Sequence, residues 1–165
     1  MARRPGYPFI PHSTAYLVPG HFWSIPLAGG GFGCGRVIQL RRESGKRDSR
    51  IFLAGLMDWA GESPPTAGGL AGRGVLAQGG VHVKTISENQ GEVCGYRDLA
   101  LDGIEPALFR DADVATSVQR GFEVIRPFDS ERDAELPVFP AWGYGVIRRR
   151  ADRHFPDGPV ERGPR

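Results

Sequence analysis

Several common indicators of function are missing from this sequence. Only two of its 165 residues are cysteine, and its formal net charge at neutral pH is +2. A charge this small does not by itself indicate a nucleic-acid partner, which needs basic residues clustered on one face. No run of about 18 apolar residues is present, so the sequence predicts no membrane-spanning helix.

The first residues of the sequence do not have the pattern of a secretion signal. The basic Arg3 and Arg4 are followed by prolines rather than by the roughly 7–15 apolar residues of a signal peptide. We therefore expect a cytoplasmic protein. In that compartment Cys34 and Cys94, both in apolar strand-like surroundings, are expected to stay reduced and to act as small buried hydrophobes.

The sequence also lacks motifs for nucleotide, metal or nucleophilic chemistry. The glycines between Gly29 and Gly35 do not satisfy G-x-G-x-x-G and precede a predicted strand, whereas a phosphate loop precedes a helix. No two cysteines or histidines have the spacing of zinc ligands, and nothing pairs a cysteine with a base. The carboxylates are scattered and no spacing selects an acid and base pair. We expect no cofactor, no metal and no enzymatic activity.

What the sequence does contain is glycine and proline, with 24 and 14 copies. Average usage is roughly 7% and 5%, so helices must be few and turns many. A chain of this length forms one domain that buries roughly 68–70% of its unfolded surface. The composition predicts a mostly β fold, a single antiparallel sheet that is either curved or a partly open barrel, with one short helix near the C-terminus.

The stretch from Gly20 to Leu40 predicts a β-hairpin. Two strand-like runs, 21–27 and 32–40, flank a glycine turn. Apolar residues alternate in the first run and place Trp23 in the core. Gly35 leaves the facing backbone bare, so that the Trp23 ring can lie over it.

The rest of the chain predicts four further strands and two long loops. An apolar run at 51–57 is expected to be a central strand beside 32–40, and the loop at 41–50 a solvated turn or hairpin tip. Residues 61–80 are predicted to be a long mobile loop because glycine is so frequent there. The next strand starts at Val81, the strand at 92–99 returns antiparallel to it, and another follows at 121–125.

Both ends of the chain are expected to be flexible around a domain at 14–155. The arm at 1–13 is polar and rich in proline, and the tail at 156–165 follows a Pro-Asp-Gly-Pro stop. Between them Ile147, Ala151 and Phe155 recur at helical spacing, which predicts the C-terminal helix.

Short motifs spread over the domain resemble the immunity protein 26 family, antidotes encoded beside bacterial polymorphic toxins. The matching residues are Gly20, Trp23, Ile25-Pro26-Leu27, Phe32-Gly33, Gly35-Arg36-Val37, Gly95-Tyr96-Arg97-Asp98-Leu99 and Trp142-Gly143. The resemblance spans Tyr16 to about Phe155. It implies a mostly β fold and a cognate toxin domain as partner, and it supplies no catalytic residues.

An acidic and apolar segment is the candidate toxin-binding surface. This segment runs from Asp98 to Asp113 and contains five acids, whereas the basic residues in or next to it are Arg97 and Arg110. Its apolar residues would be anchors surrounded by a charged rim, as in other protein interfaces. The candidate residues are Asp98, Asp102, Glu105, Leu108, Phe109, Asp111 and Asp113, with Leu101 among the apolar neighbours. The alternative, an ordinary loop whose apolar residues pack inward, stays open.

A basic segment gives a different hypothesis. This segment, residues 36–50, contains six basic residues and two acids, Glu43 and Asp48. Nucleic-acid binding uses such charges against phosphates, together with aromatic rings that stack on bases. The segment has no aromatic residue, so a solvated hairpin tip is favoured over a nucleic-acid-binding small β-barrel. An enzyme of unrecognised type, with a perturbed titratable group in a pocket, is a further alternative.

Overall fold

A computed structural model describes residues 4–111 and 116–159 of the chain. Those residues form nine strands and two helices, with 3-10 turns at Thr14–Tyr16 and Leu99–Asp102. In chain order the elements are β1 (His21–Pro26), β2 (Phe32–Glu43), β3 (Lys46–Gly61), β4 (Val75–His82), α1 (Lys84–Glu88), β5 (Val93–Tyr96), β6 (Leu108–Arg110), β7 (Ser117–Arg120), β8 (Glu123–Pro127), β9 (Ala141–Trp142) and α2 (Val146–His154).

The strands form two open sheets. The larger has the order β5-β1-β2-β3-β4-β9, and the smaller has the order β6-β7-β8. Neighbouring strands are antiparallel except β4 and β9, which run parallel. The predicted mostly β fold with one helix near the C-terminus, α2, is therefore confirmed, and the larger sheet does not close into a barrel.

The predicted hairpin at 20–40 is formed by β1 and β2. Trp23 faces Gly35 in the register, and a Cβ on Gly35 would overlap the Trp23 indole ring. The indole is 1% exposed and meets the Phe52 ring edge-on, with 5.7 Å between the ring centroids. A glycine is therefore required at position 35 because the largest core side chain lies on its backbone.

Both faces of the larger sheet are buried, because neighbouring residues of one strand point to opposite sides. One face packs Trp23, Phe52 and Trp142 against Ile147 of α2. The other face packs Phe22, Cys34 and Met57 against Leu70, which lies in the loop at 62–74. Arg36 faces Phe22 across the strands and so belongs to this second face.

Three predictions in the middle of the chain need correction. The loop predicted at 61–80 ends at residue 74, because β4 begins at Val75 and pairs along β3. Residues 84–88 form the helix α1 and do not continue the predicted strand. The returning strand, β5, pairs with β1 and not with the strand that precedes α1.

The N-terminal arm is docked on the domain at Phe9. Phe9 exchanges two backbone hydrogen bonds with Val93, at 2.8 and 3.1 Å, which adds the N-terminal arm to the edge of β5.

The loop predicted at 41–50 is the tip of the hairpin formed by β2 and β3. Ser44 and Gly45 both have positive φ there, as a two-residue turn of this type requires. Neither helix among the described residues is long and apolar enough to cross a membrane.

Candidate functional site

The carboxylate of Asp102 lies at the centre of a buried ion-pair cluster. Arg97 donates two hydrogen bonds to it at 2.8 and 2.9 Å, and Arg36 donates one at 3.1 Å. The backbone N–H of Gly72 donates a fourth at 3.0 Å. The bonds from Arg97, with those from Gly72 and Arg36, hold the pKa of Asp102 far below its usual range.

This cluster corrects two predictions. The side chain of Asp102 is only 1% exposed, so it is not an acid on the rim of an interface. The side chain of Arg36 is fully buried and also donates to the carbonyl of Arg97 at 2.6 Å, so it does not belong to a solvated basic patch. Both side chains join β2 to the segment after β5, which is a structural role.

The remaining acids of the predicted surface are in different settings. Asp98 is exposed and accepts a hydrogen bond from the N–H of Ala100, capping the 3-10 turn. Glu105 is exposed, with a single 3.5 Å contact to Arg120. Asp111 is partly buried and accepts from the Ser117 hydroxyl. Asp113 lies outside the described residues.

The apolar anchors differ as well. Phe109 is 4% exposed and packs edge-on against Phe139, so its prediction as an exposed anchor is wrong. Leu108 is partly buried. Leu101, in contrast, is 67% exposed. The alternation of apolar residues did not show which leucine is exposed and which is partly buried, because neither Leu101 nor Leu108 lies in a long helix or strand.

The two cysteines are free, as predicted. Cys34 is fully buried, and burial raises the pKa of its thiol well above the usual value. Cys94 is partly buried, and its thiol pKa is raised for the same reason. Such thiols are poor nucleophiles. Within 4–111 and 116–159, no three or more histidine, cysteine, aspartate or glutamate side chains are grouped to hold a metal ion.

An open cleft of about 680 Å³ lies where the two sheets meet, and we call it the inter-sheet cleft. Its volume falls in the range of small-ligand sites, about 300–1,000 Å³. Its aromatic lining residues are Phe122, Phe139, Trp142 and Tyr144, and its basic lining residues are Arg41 and Arg42. All of these aromatic residues lie far along the chain from the basic segment at 36–50, so no local pattern in the sequence indicates that the aromatic and the basic residues line one cleft.

Two adjacent glycines of β4 make room for aromatic rings on opposite faces of the larger sheet, Gly79 on the face of α2 and Gly80 on the face of the cleft. A Cβ on Gly79 would overlap the Trp142 indole, and one on Gly80 would lie 3.1 Å from the Phe139 ring. Glycines inside a strand mark such close approaches, and Gly80 is the signal in the sequence that indicates the aromatic wall of the cleft, which consists of Phe122, Phe139 and Tyr144. The Arg150 guanidinium lies over the Trp142 ring at 5.2 Å, so the indole is held in place.

Two glutamines fix the width of the inter-sheet cleft. Gln39 of β2 accepts a hydrogen bond from the N–H of Phe122 at 2.8 Å. Gln78 of β4 accepts from the N–H of Ala107 and donates to the carbonyl of Glu105, both at 2.9 Å. Both side chains belong to the larger sheet and bind backbone beside the smaller one, so the cleft is built before any ligand arrives.

The rim of the inter-sheet cleft is basic. Arg41 pairs with Asp48 at 3.1 Å, whereas exposed Arg42 makes no ion pair with any described residue. His82 accepts a hydrogen bond at Nδ1 from the N–H of Lys84, so its neutral ring has the proton on Nε2. Burial, followed by Lys84 and Arg50, lowers the pKa of His82, which keeps the ring neutral at pH 7.

Comparison with protein families, with curated proteins and with solved structures finds no match to this chain.

Proposed function

We propose that this protein is an antidote of the immunity protein 26 type, which neutralises a cognate bacterial toxin by stoichiometric binding. The observation that supports this proposal is that most of the residues in the resemblance contact one another. They lie on β1, β2, β5 and the turn that follows β5. Motifs spread over about 80 positions therefore form one structural unit in the fold.

The contacts in this unit explain the residue types. Gly20 has a φ of +109°, and a Cβ there would lie 2.6 Å from the Tyr96 ring. A Cβ on Gly95 would lie 2.7 Å from the Phe22 ring. Trp23 covers Gly35 in the same way. We call β1, residues 32–38 of β2, β5 and the Asp102 cluster the framework.

Because most of the framework is buried, toxin binding would use exposed residues beside it. Leu101 is the most exposed large apolar side chain among the described residues, and it is adjacent to Asp102, which fixes its backbone. Asp98 and Glu105 are exposed acids of the same segment. Leu101 would be the apolar anchor, and the two acids would lie on the rim.

The physical roles of these groups differ. Rim charges mainly raise the association rate and make it depend on salt, whereas a desolvated anchor controls the dissociation rate. Asp98 and Glu105 would therefore orient the encounter with a basic toxin surface, and Leu101 would hold the complex together.

The direct test is to purify the protein with the C-terminal domain of the secreted protein encoded by the neighbouring reading frame. We expect a 1:1 complex on size-exclusion chromatography and loss of toxicity when both are expressed together. Failure to form a complex and to protect would refute the proposed function.

Two variants test the surface. Leu101→Ala should cost about 2 kcal/mol or more of binding free energy if it is a hot spot, through faster dissociation. Leu76→Ala, at a leucine that is 39% exposed elsewhere on the protein, is the matched control and should leave affinity unchanged. Asp98→Asn with Glu105→Gln should slow association at low salt only.

A further inference from the structure

The inter-sheet cleft combines features that the antidote proposal does not use. Its lining includes the aromatic side chains of Phe122, Phe139 and Tyr144, two arginines and a neutral histidine; the only acid among the lining residues is Asp111, and Asp48 lies next to the cleft in a pair with Arg41. A cleft that serves only protein packing has no reason to keep charged and aromatic groups together and open to solvent. The combination needs a ligand with both a planar ring and negative charge.

The aromatic rings come from different parts of the fold. Phe122 follows β7 in the smaller sheet, and Tyr144 follows β9 in the larger one. The Phe139 ring centroid lies 5.3 Å from that of Phe122, and the segment of Phe139 makes backbone hydrogen bonds to both sheets. Tyr144 is 45% exposed and meets His82 edge-on at 5.6 Å. A planar ligand entering the cleft therefore has aromatic side chains available on either side.

The cations lie at one end of the same cleft. Arg41 and Arg42 come from the end of β2, just before its turn, and Arg41 is paired with Asp48. Burial lowers the pKa of His82, and Lys84 and Arg50 are close enough to lower it further, whereas Asp48 raises it, so the cations outnumber the one acid at this end. Arginine recognises phosphate through paired N–H donors, and aromatic rings stack on bases without regard to sequence. The Nε2–H of neutral His82 is a further donor toward an anion or a base edge.

We propose that the inter-sheet cleft binds a nucleoside phosphate, either free or as a unit of a single-stranded nucleic acid, with the base among the cleft's aromatic rings and the phosphate at Arg41 and Arg42. A carboxylate-bearing peptide is the weaker fit, because it would use the arginines and leave the aromatic wall without a purpose. This proposal does not depend on the antidote function.

The test uses fluorescence anisotropy with a labelled oligothymidylate of about ten nucleotides, and competition by adenosine and uridine monophosphate. Tyr144→Ala should weaken binding by roughly 5-fold to 150-fold, since stacking is worth about 1–3 kcal/mol per base. Tyr96→Ala is the matched control, because Tyr96 is equally exposed, at 46%, and does not line the cleft. Melting curves of both variants check that they stay folded.

The electrostatic arm compares Arg42→Gln with Arg73→Gln, an exposed arginine outside the cleft. Arg42→Gln should lower the slope of log affinity against log salt by about 0.7, the value for one phosphate contact in a single strand, and Arg73→Gln should not. Competition by mononucleotide at the same site supports a free nucleotide, and binding of the oligonucleotide alone supports a strand.

Three results would overturn the proposal. The first is no saturable binding of oligonucleotide or mononucleotide at low salt. The second is an equal effect of Tyr144→Ala and Tyr96→Ala. The third is displacement by polyglutamate as efficient as by the nucleotide, because this would mean that only charge is recognised.

Discussion

Arg36 and Arg42 lie on the same strand, six residues apart, yet the fold gives them opposite surroundings. Arg36 is completely buried, and its guanidinium donates to Asp102 and to the carbonyl of Arg97. Arg42 is exposed at the rim of the inter-sheet cleft. The guanidinium of Arg36 donates its hydrogen bonds to groups inside the protein, whereas the guanidinium of Arg42 faces solvent. A buried, hydrogen-bonded arginine helps to specify the fold, and an exposed one is available to a ligand.

The largest expected effect comes from breaking the framework side of this comparison. Trp23→Ala should cost about 3–5 kcal/mol of unfolding free energy, because the indole is buried against Phe52 and Gly35 and leaves a cavity. Tyr144→Ala, on the cleft side, should cost less than about 1 kcal/mol. Urea titrations of both variants check this, and a loss under about 1 kcal/mol for Trp23→Ala would refute its placement.

Removing the acid at the centre of the framework is the next test. Asp102→Asn should cost about 3–5 kcal/mol, because it leaves buried Arg36 without a carboxylate. Glu105→Gln removes an exposed acid of the same segment and should cost about 1 kcal/mol at most. Chemical denaturation of the two variants side by side tests the difference, and similar losses would contradict the structural role of Asp102.

A smaller, pH-dependent effect should come from His21. Its Nδ1 accepts from the N–H of Val18, so the neutral ring donates from Nε2 to the Tyr7 hydroxyl at 3.0 Å. Burial, then the charge of Arg4, lowers the pKa of His21 from 6.5 to about 4. Between these values the unfolded chain binds more protons than the folded one, so stability should fall as the pH falls from 6.5 towards 4.

The measurement is the unfolding free energy at several pH values for the protein and for His21→Gln. The variant cannot take up this proton, so its stability should fall less steeply across the same window. Asp48, Asp102 and Asp133 also have lowered pKa values, and their contributions are lost mainly below the usual aspartate pKa of 3.8. That loss is common to the protein and to the variant, so it cancels in the difference between their curves. Parallel pH curves for the two proteins would show that His21 is not held neutral by the fold.

The sequence was informative where structure is local. Alternation placed Trp23 in the core, and helical spacing found α2, because both patterns lie within one element. The start of β4 was missed because Gly79 and Gly80 are in a strand only to make room for Trp142 and Phe139, about 60 residues later. Composition alone makes such a segment resemble a loop.

The candidate site was only partly predictable for the same reason. Arg36 and Asp102 are separated by 66 residues, and no local pattern indicates that they pair. As a result, Asp102 was grouped with surface acids and Arg36 with surface cations. The inter-sheet cleft depends on Gln39 and Gln78, whose contacts across the two sheets are likewise visible only in the fold.

The most direct test of the account is the unfolding free energy of Arg36→Met measured beside that of Arg42→Met. Both changes remove one charge from β2 and keep a side chain of similar length. We expect a loss of at least about 2 kcal/mol for Arg36→Met, since its charged hydrogen bonds are worth about 1.5–3 kcal/mol each, and a change within about 0.5 kcal/mol for Arg42→Met. Equal effects of the two substitutions would contradict the separation of framework and cleft.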